Sequence, residues 1–444
     1  MVKDMTQGSI PRHLIDYAIP LILGNLFQLT YNAVDSIIVG RFIGKEALAA
    51  VGTASPVMNI IILGISGICI GSSVLMSNFF GARKEELVKR EMATTAVFGV
   101  YFSLIVVALG ILATPSLLRA LHVPGEILGT ASVYLRIIFL GAPFTFFYNA
   151  VASALKSVGD SKTPLKFLAF CSVLNGVLDG IFIGVFHFGI VCSAVTTVAA
   201  EALSAILCIV YVYRKIPLLQ LKPGEFQIDR ALLKQTLQYG SITALQQSCQ
   251  PVGKLLIQGA VNPMGVDVMA AFNAVEKIDA YAFIPEQSIS HSITTFVAQN
   301  SGAHNEERIR RGFRTGMFLE FCYWILICTS TLLLRAPLMK LFVGDSPDIV
   351  ALGSSYLGIM AFFYLFPGFT NGMQGYFRGR KYMKTTLLGT FIQTSLRVAF
   401  VYVLTPRMGL PGVAFACAIG WAVMLAVEIP CYLRFFSSKT TFTA

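Results

Sequence analysis

The 444-residue chain is 55% hydrophobic and only 13% charged, yet it carries a net charge of +11. Long apolar runs recur at regular intervals between short basic connectors, so the charge belongs to connectors and no soluble basic domain for nucleic acid is present. The five histidines are scattered and the nine cysteines sit singly. With no metal-ligand spacing, nucleophile–base pair or phosphate loop, an enzyme, a cofactor site and a disulfide framework are all disfavoured.

A membrane-crossing helix needs about 20 mostly apolar residues. Twelve such runs follow one another, at residues 12–43, 47–79, 91–114, 126–153, 164–186, 189–213, 233–262, 267–298, 312–334, 348–375, 385–404 and 410–435. The expected fold class is an all-α integral membrane protein. The start, MVKDMTQGSIPRHLIDYAIP, enters the first run without a small-residue cleavage pattern, so no removable signal peptide is expected. With both termini cytoplasmic, only Arg41, Lys45, Arg119, Arg335, Lys340 and Arg407 of the 34 Lys and Arg face outward. Arg136, Lys254, Lys277 and Arg397 fall inside spans, and all the others lie on the inner side, as the positive-inside rule requires. The expected location is the cell membrane.

The chain repeats itself at an offset of 220 to 222 residues. GARKEELVKR (81–90) answers GAHNEERIRR (302–311), with Gly81, Ala82, Glu85, Glu86 and Arg90 falling on Gly302, Ala303, Glu306, Glu307 and Arg311. Gly44 answers Gly265, Gly159 answers Gly379, and Gly189 answers Gly409. Each half holds six spans, an even number, so the halves are expected to be parallel six-helix lobes, pseudo-twofold related about the membrane normal, around a central cavity. The expected organisation is an N-terminal lobe at 1–213, a cytoplasmic linker at 214–232 with a Pro223-Gly224 breaker, and a C-terminal lobe at 233–444.

Within the first lobe, polar groups converge on one depth. An ionised aspartate near a bilayer's centre costs roughly 3 kcal/mol, so Asp35 in the first span is a functional candidate by default. It precedes the turn at Gly44 by about 13 Å of helix. Asn175 and Asp179 share a face of span five at i and i+4, and Thr197 in span six reaches the same level, with Glu201 one turn deeper. Carboxylate, amide and hydroxyl oxygens can ligate Na⁺, and the same carboxyls can hold a proton instead. Asn175 and Thr197 can equally bond neighbouring helices.

The repeat counterparts of Asp35 and Asp179 are Leu256 and Ala399, so the second lobe has different chemistry. It carries Lys254, Glu276, Lys277, Asp279 and Arg397. Lys254 and Glu276 stand equally far from the turn at Gly265 and are expected to pair, either as a structural ion pair or as a substrate-contacting or gating pair, and Arg136, Lys254, Glu276 and Arg397 are the candidate cavity charges. Pro20 breaks a backbone bond of the first span and makes it bendable.

VDSIIVGRFIG around Asp35, SNFFGA (77–82), AQNSGA (298–303), GDSKTP (159–164) and the N-GVL-D of 175–179 together resemble the multidrug and toxic compound extrusion (MATE) transporters over nearly the whole chain. The resemblance implies efflux of lipophilic, usually cationic compounds in exchange for H⁺ or Na⁺. It implies a coupling-ion site at Asp35, Asn175, Asp179 and Thr197, where Na⁺ would be the metal, with Pro20 as the associated helix bend. No cofactor is implied beyond the coupling ion. Where some members have a glutamate in span seven, this chain reads ITALQQSCQPVGK (242–254), without an acid. Glu201, where many relatives have a glutamine, adds a further titrating candidate. The expected partners are a small-molecule substrate and membrane lipid, with no nucleic acid, and the expected state is a monomer. The alternative reading is a flippase for lipid-linked oligosaccharide or peptidoglycan precursor, which the embedded cations Arg136, Lys254 and Arg397 would serve.

Overall fold

A computed structural model describes residues 2–42, 44–121 and 123–440, with the backbone alone described at 34–41, 45–48, 53 and 436–440. Among the described residues the regular structure is helical throughout: α1 (Ile10–Phe42), α2 (Lys45–Gly81), α3 (Glu85–Ala120), α4 (Gly125–Ser157), α5 (Lys162–Asp179), α6 (Ile190–Lys215), α7 (Arg230–Val261), α8 (Val266–Gly302), α9 (Glu306–Val343), α10 (Pro347–Phe363), α11 (Leu365–Gly379), α12 (Met383–Met408) and α13 (Pro411–Thr440). A π-helical stretch, Gly180–Val185, continues α5. α10 and α11 meet at a 44° bend, so the helices supply the twelve expected rods. By length and composition eight helices can cross a membrane, nine when the bent pair counts as one. α1, α7 and α8 fall short of that test over the described residues, and α7 and α8 turn polar side chains inward, Thr236 and Gln246 on α7, Glu286, Gln299 and Asn300 on α8.

Several helices outrun their apolar cores. α3 begins at Glu85 and α9 at Glu306, each with two glutamates in the first turn, where the helix dipole favours them. The charged turns are held by twin i,i+4 ion pairs, Glu86–Arg90 and Glu307–Arg311, both at 2.5 Å.

The turns show the internal repeat more faithfully than residue identity does. Positive φ recurs at Gly44 and Gly265, at Arg83 and His304, at Gly159 and Lys381, and at His187 and Gly409. Gly159 is therefore the structural twin of Lys381 rather than of Gly379, and Gly409 that of His187 rather than of Gly189. The left-handed conformation is what the fold repeats, and a non-glycine can occupy it at a modest cost. The later offset is thus 222, which makes Val401, not Ala399, the counterpart of Asp179.

The chain divides into two compact units, Met1–Asp4 with Pro20–Ala244, and Met5–Ile19 with Leu245–Ala444. The division differs from the sequence boundaries because α1 changes unit at Pro20 and α7 changes unit after Ala244. The segment expected to be a linker is also part of the first unit, since Ile216 and Leu219 are buried in its core with Met76, Phe80, Leu155 and Cys208. α1 itself runs helically through Pro20.

The motifs at the helix ends hold the chain's N-terminal segment. In the first unit Lys3 N donates to Val158 O at 2.9 Å. Asp160 of GDSKTP caps α5 by accepting from Thr163 N at 3.1 Å and Thr163 Oγ1 at 2.8 Å. In the second unit, Gln299 and Asn300 of AQNSGA bind the Met5 backbone, Met5 N donating to Gln299 Oε1 at 2.9 Å and Asn300 Nδ2 to Met5 O at 3.2 Å. A Cβ on Gly159 would lie 2.9 Å from Lys3 Cβ at a φ of +85°. Gly159→Ala is therefore expected to cost about 2 kcal/mol, read as a lowered melting temperature of the purified protein.

Candidate functional site: a buried carboxylate cluster in the first unit

α5 carries Asn175 and Asp179 one turn apart, and both are buried, Asp179 completely. Asp179 is the last residue before the π-helical stretch, a departure from α geometry that is frequent at functional sites. Its carboxylate accepts from Asn175 Nδ2 at 3.1 Å and from Thr196 Oγ1 of α6 at 2.5 Å. Tyr31 of α1 donates its hydroxyl to Asn175 Oδ1. The tyrosine ring packs over Gly176, where a Cβ would lie in ordinary contact with Tyr31 Cε2 at 3.5 Å. Three helices thus converge on one carboxylate.

The sequence-predicted residues fall out unevenly. Asn175 and Asp179 lie at the centre. Thr197 is half-buried, and its neighbour Thr196 makes the bond to Asp179 instead, since one residue turns a side chain by about 100° around a helix. Thr196→Ala is expected to impair any activity of the site several-fold more than Thr197→Ala, which transport assays of the two variants would show. Asp35 lies outside the residues whose side chains are described. Glu201 accepts from Thr145 of α4 at 2.5 Å, apart from the bonds to Asp179. Arg136 is exposed and makes no ion pair among the described residues. Tyr31 was missed by sequence reasoning, although it stands four residues before Asp35 and hence on the same face of α1.

In the second unit Lys254 and Glu276 pair as expected, Nζ to Oε2 at 2.9 Å. Arg397 Nη2 approaches Glu276 Oε1 at 3.9 Å, so one carboxylate serves two cations. Asp279, one helical turn on, accepts from Tyr364 at 2.5 Å. The acids Glu91, Glu286, Glu320 and Glu428 are also buried. Sequence reasoning passed over them, although an ionisable residue inside a span is itself the signal.

A model of the MatE family matches residues 20–181 and again 242–403. The chain belongs to the MATE family of transporters. The two matches are displaced by 222 residues, the offset found in the later turns. The probable multidrug resistance protein YpnP of Bacillus subtilis (strain 168) is 28% identical over 421 residues, covering 94% of each chain. The probable multidrug resistance protein NorM of Thermotoga maritima is 27% identical over 413 residues, 91% of this chain and 88% of its own. The solved outward-facing conformation of a multidrug resistance MATE family transporter of the MOP superfamily shares the fold, with a TM-score of 0.91 at 23% identity over 98% of both chains. This MATE chain is accordingly a multi-pass membrane transporter, and the flippase alternative is not favoured. Transporters of the family are in general ion-coupled and need no cofactor.

Proposed function

We propose that this MATE transporter is a secondary active antiporter, exporting lipophilic cationic compounds across the cell membrane in exchange for H⁺ or Na⁺. It works as a monomer with both termini cytoplasmic. The observation that carries the reading is Asp179, a fully buried carboxylate with an amide and a hydroxyl already turned toward it. Asp35 stands one turn after Tyr31, whose hydroxyl reaches the same cluster through Asn175. The coupling site is then Asp35, Asn175 and Asp179 with a hydroxyl from the Thr196–Thr197 pair.

A cation at these carboxylates neutralises charge that desolvation makes costly. Its departure leaves a negative site that favours rebinding either the ion or a cationic drug, and that competition is the differential affinity a population shift requires. α1 can respond because Pro20 gives up the hydrogen bond to the carbonyl of residue 16, at the point where the helix passes from one compact unit to the other.

The test is efflux of a cationic dye from proteoliposomes under a pH gradient and a Na⁺ gradient imposed separately, with wild type beside Asp35→Asn. Transport driven by one gradient and lost in the variant names the ion. Dye movement that ignores both gradients, or that persists in Asp35→Asn, sinks the reading.

A further inference from the structure

Two carboxylates in the second unit are left unused by that site. Glu286 on α8 and Glu320 on α9 are each 1% exposed. Among the described residues, none of their four oxygens has a partner at full hydrogen-bond geometry, and the Asn371 side chain acts on Glu286 as a donor only at looser geometry. They converge on one point: a methyl built on Gly368 of α11 would lie 3.5 Å from Glu320 Oε2 and 3.8 Å from Glu286 Oε1. At helical rise Glu286 lies about 24 Å from the end of α8, and Glu320 about 21 Å from the start of α9, so the adjoining helices bring them to one depth.

The polar and titratable groups acting on the pair are Asp279 on α8, Tyr323 on α9, Tyr364 at the α10–α11 bend and the Asn371 amide on α11. No Lys or Arg is among them. Two ionised carboxylates cannot share such a site without a countercharge, because desolvation and mutual repulsion act together. A permanently protonated structural pair would be held by the bonds its hydroxyls donate, and these carboxyls make none.

The internal repeat argues against an inherited scaffold feature. The first-half counterpart of Glu286 is Ile65, and that of Glu320 falls at Phe98 or Gly99. Each half therefore has an acid pair where the other has none.

We propose that Glu286 and Glu320 form a second cation-binding site, holding one monovalent cation, H⁺ or Na⁺, within the second unit and independent of the Asp179 cluster. Only the site's use in transport rests on the antiport reading. Cation binding is tested by itself.

The full-length protein in lipid nanodiscs is followed by infrared difference spectroscopy, once while raising the pH from about 5 to 9 without Na⁺ and once while adding Na⁺ at fixed pH. The expected result is a protonated-carboxyl band lost in one of these titrations, absent from the double variant Glu286→Gln, Glu320→Gln and retained in Asp179→Asn. Loss with pH alone names H⁺, and loss on adding Na⁺ at fixed pH names Na⁺. A spectrum in which neither titration changes a band that depends on the double variant overturns the proposal. Should the double variant fail to fold, the wild type is labelled with dicyclohexylcarbodiimide, which reacts with protonated buried carboxyls, and mapped by peptide mass spectrometry. Adducts on Glu286 or Glu320 that fall several-fold as pH rises or Na⁺ is added support the site. No adduct on either residue, or adducts indifferent to both, overturns it.

Discussion

Asp179→Asn is expected to abolish gradient-driven dye efflux while leaving the protein folded. The carboxylate accepts from Asn175 Nδ2 and Thr196 Oγ1, and an asparagine can keep both neighbours satisfied. Its carbonyl takes the Asn175 bond, and its amide donates to Thr196 Oγ1. The threonine hydroxyl hydrogen then turns to Cys192 O or Ser193 O, each already 2.9 Å away. The folding cost is expected to stay below about 1 kcal/mol. The substitution removes only the charge, so a coupling site loses its function outright and a merely structural carboxyl loses almost nothing. Asp179→Leu is the control, since it leaves the Asn175 amide without its acceptor in a dry setting, the Thr196 hydroxyl turning to Cys192 O or Ser193 O, and costs about 1 to 3 kcal/mol. Efflux assays with melting curves on both variants separate the two effects. Gradient-driven transport by Asp179→Asn at the wild-type rate would dismiss the coupling role.

Gly240→Leu is the substitution expected to damage the first unit most. α2 and α7 approach there backbone to backbone: a Cβ on Gly240 would lie 2.7 Å from Ile68 Cα, and one on Gly71 would lie 2.8 Å from Gly240 N. Small residues allow such contact between membrane helices, where dispersion and interhelical bonds replace the hydrophobic effect as the attraction. No rotamer of a larger side chain escapes, because the clash begins at Cβ and meets main chain. Forcing α7 outward also breaks the bond from Thr236 Oγ1 to the buried Glu91 Oε1, now 2.6 Å, and the one from Asp229 N to Thr94 Oγ1 at 3.0 Å. Overpacking and a weakened buried carboxylate together cost about 4 kcal/mol. Thermal unfolding followed by size-exclusion chromatography should rank wild type above Gly240→Ala and Gly240→Ala above Gly240→Leu. Equal melting of all three would show that the approach of α2 to α7 carries no stability.

Sequence by itself determined the twelve rods, the duplication, the pairing of Lys254 with Glu276, and most rod ends to within a few residues, though not those of α3 and α9, which run six to nine residues past their apolar cores. These are one-dimensional properties: an apolar run has a length, a repeat has an offset, and a fixed rise per residue converts distance from a turn into depth. Asn175 with Asp179 was legible for the same reason, since i and i+4 share a face whatever surrounds them. Tertiary structure alone decided which way each helix is rotated and which neighbours it meets. That choice put Thr196 rather than Thr197 on Asp179 and gave Glu201 to Thr145. It drew the first turns of α1 into one compact unit and those of α7 into the other, and it brought Glu286 and Glu320 to Gly368. Rotation about a helix axis depends on packing against segments far away in the chain, and local periodicity holds no record of it when polar residues lie on a helix's inner face.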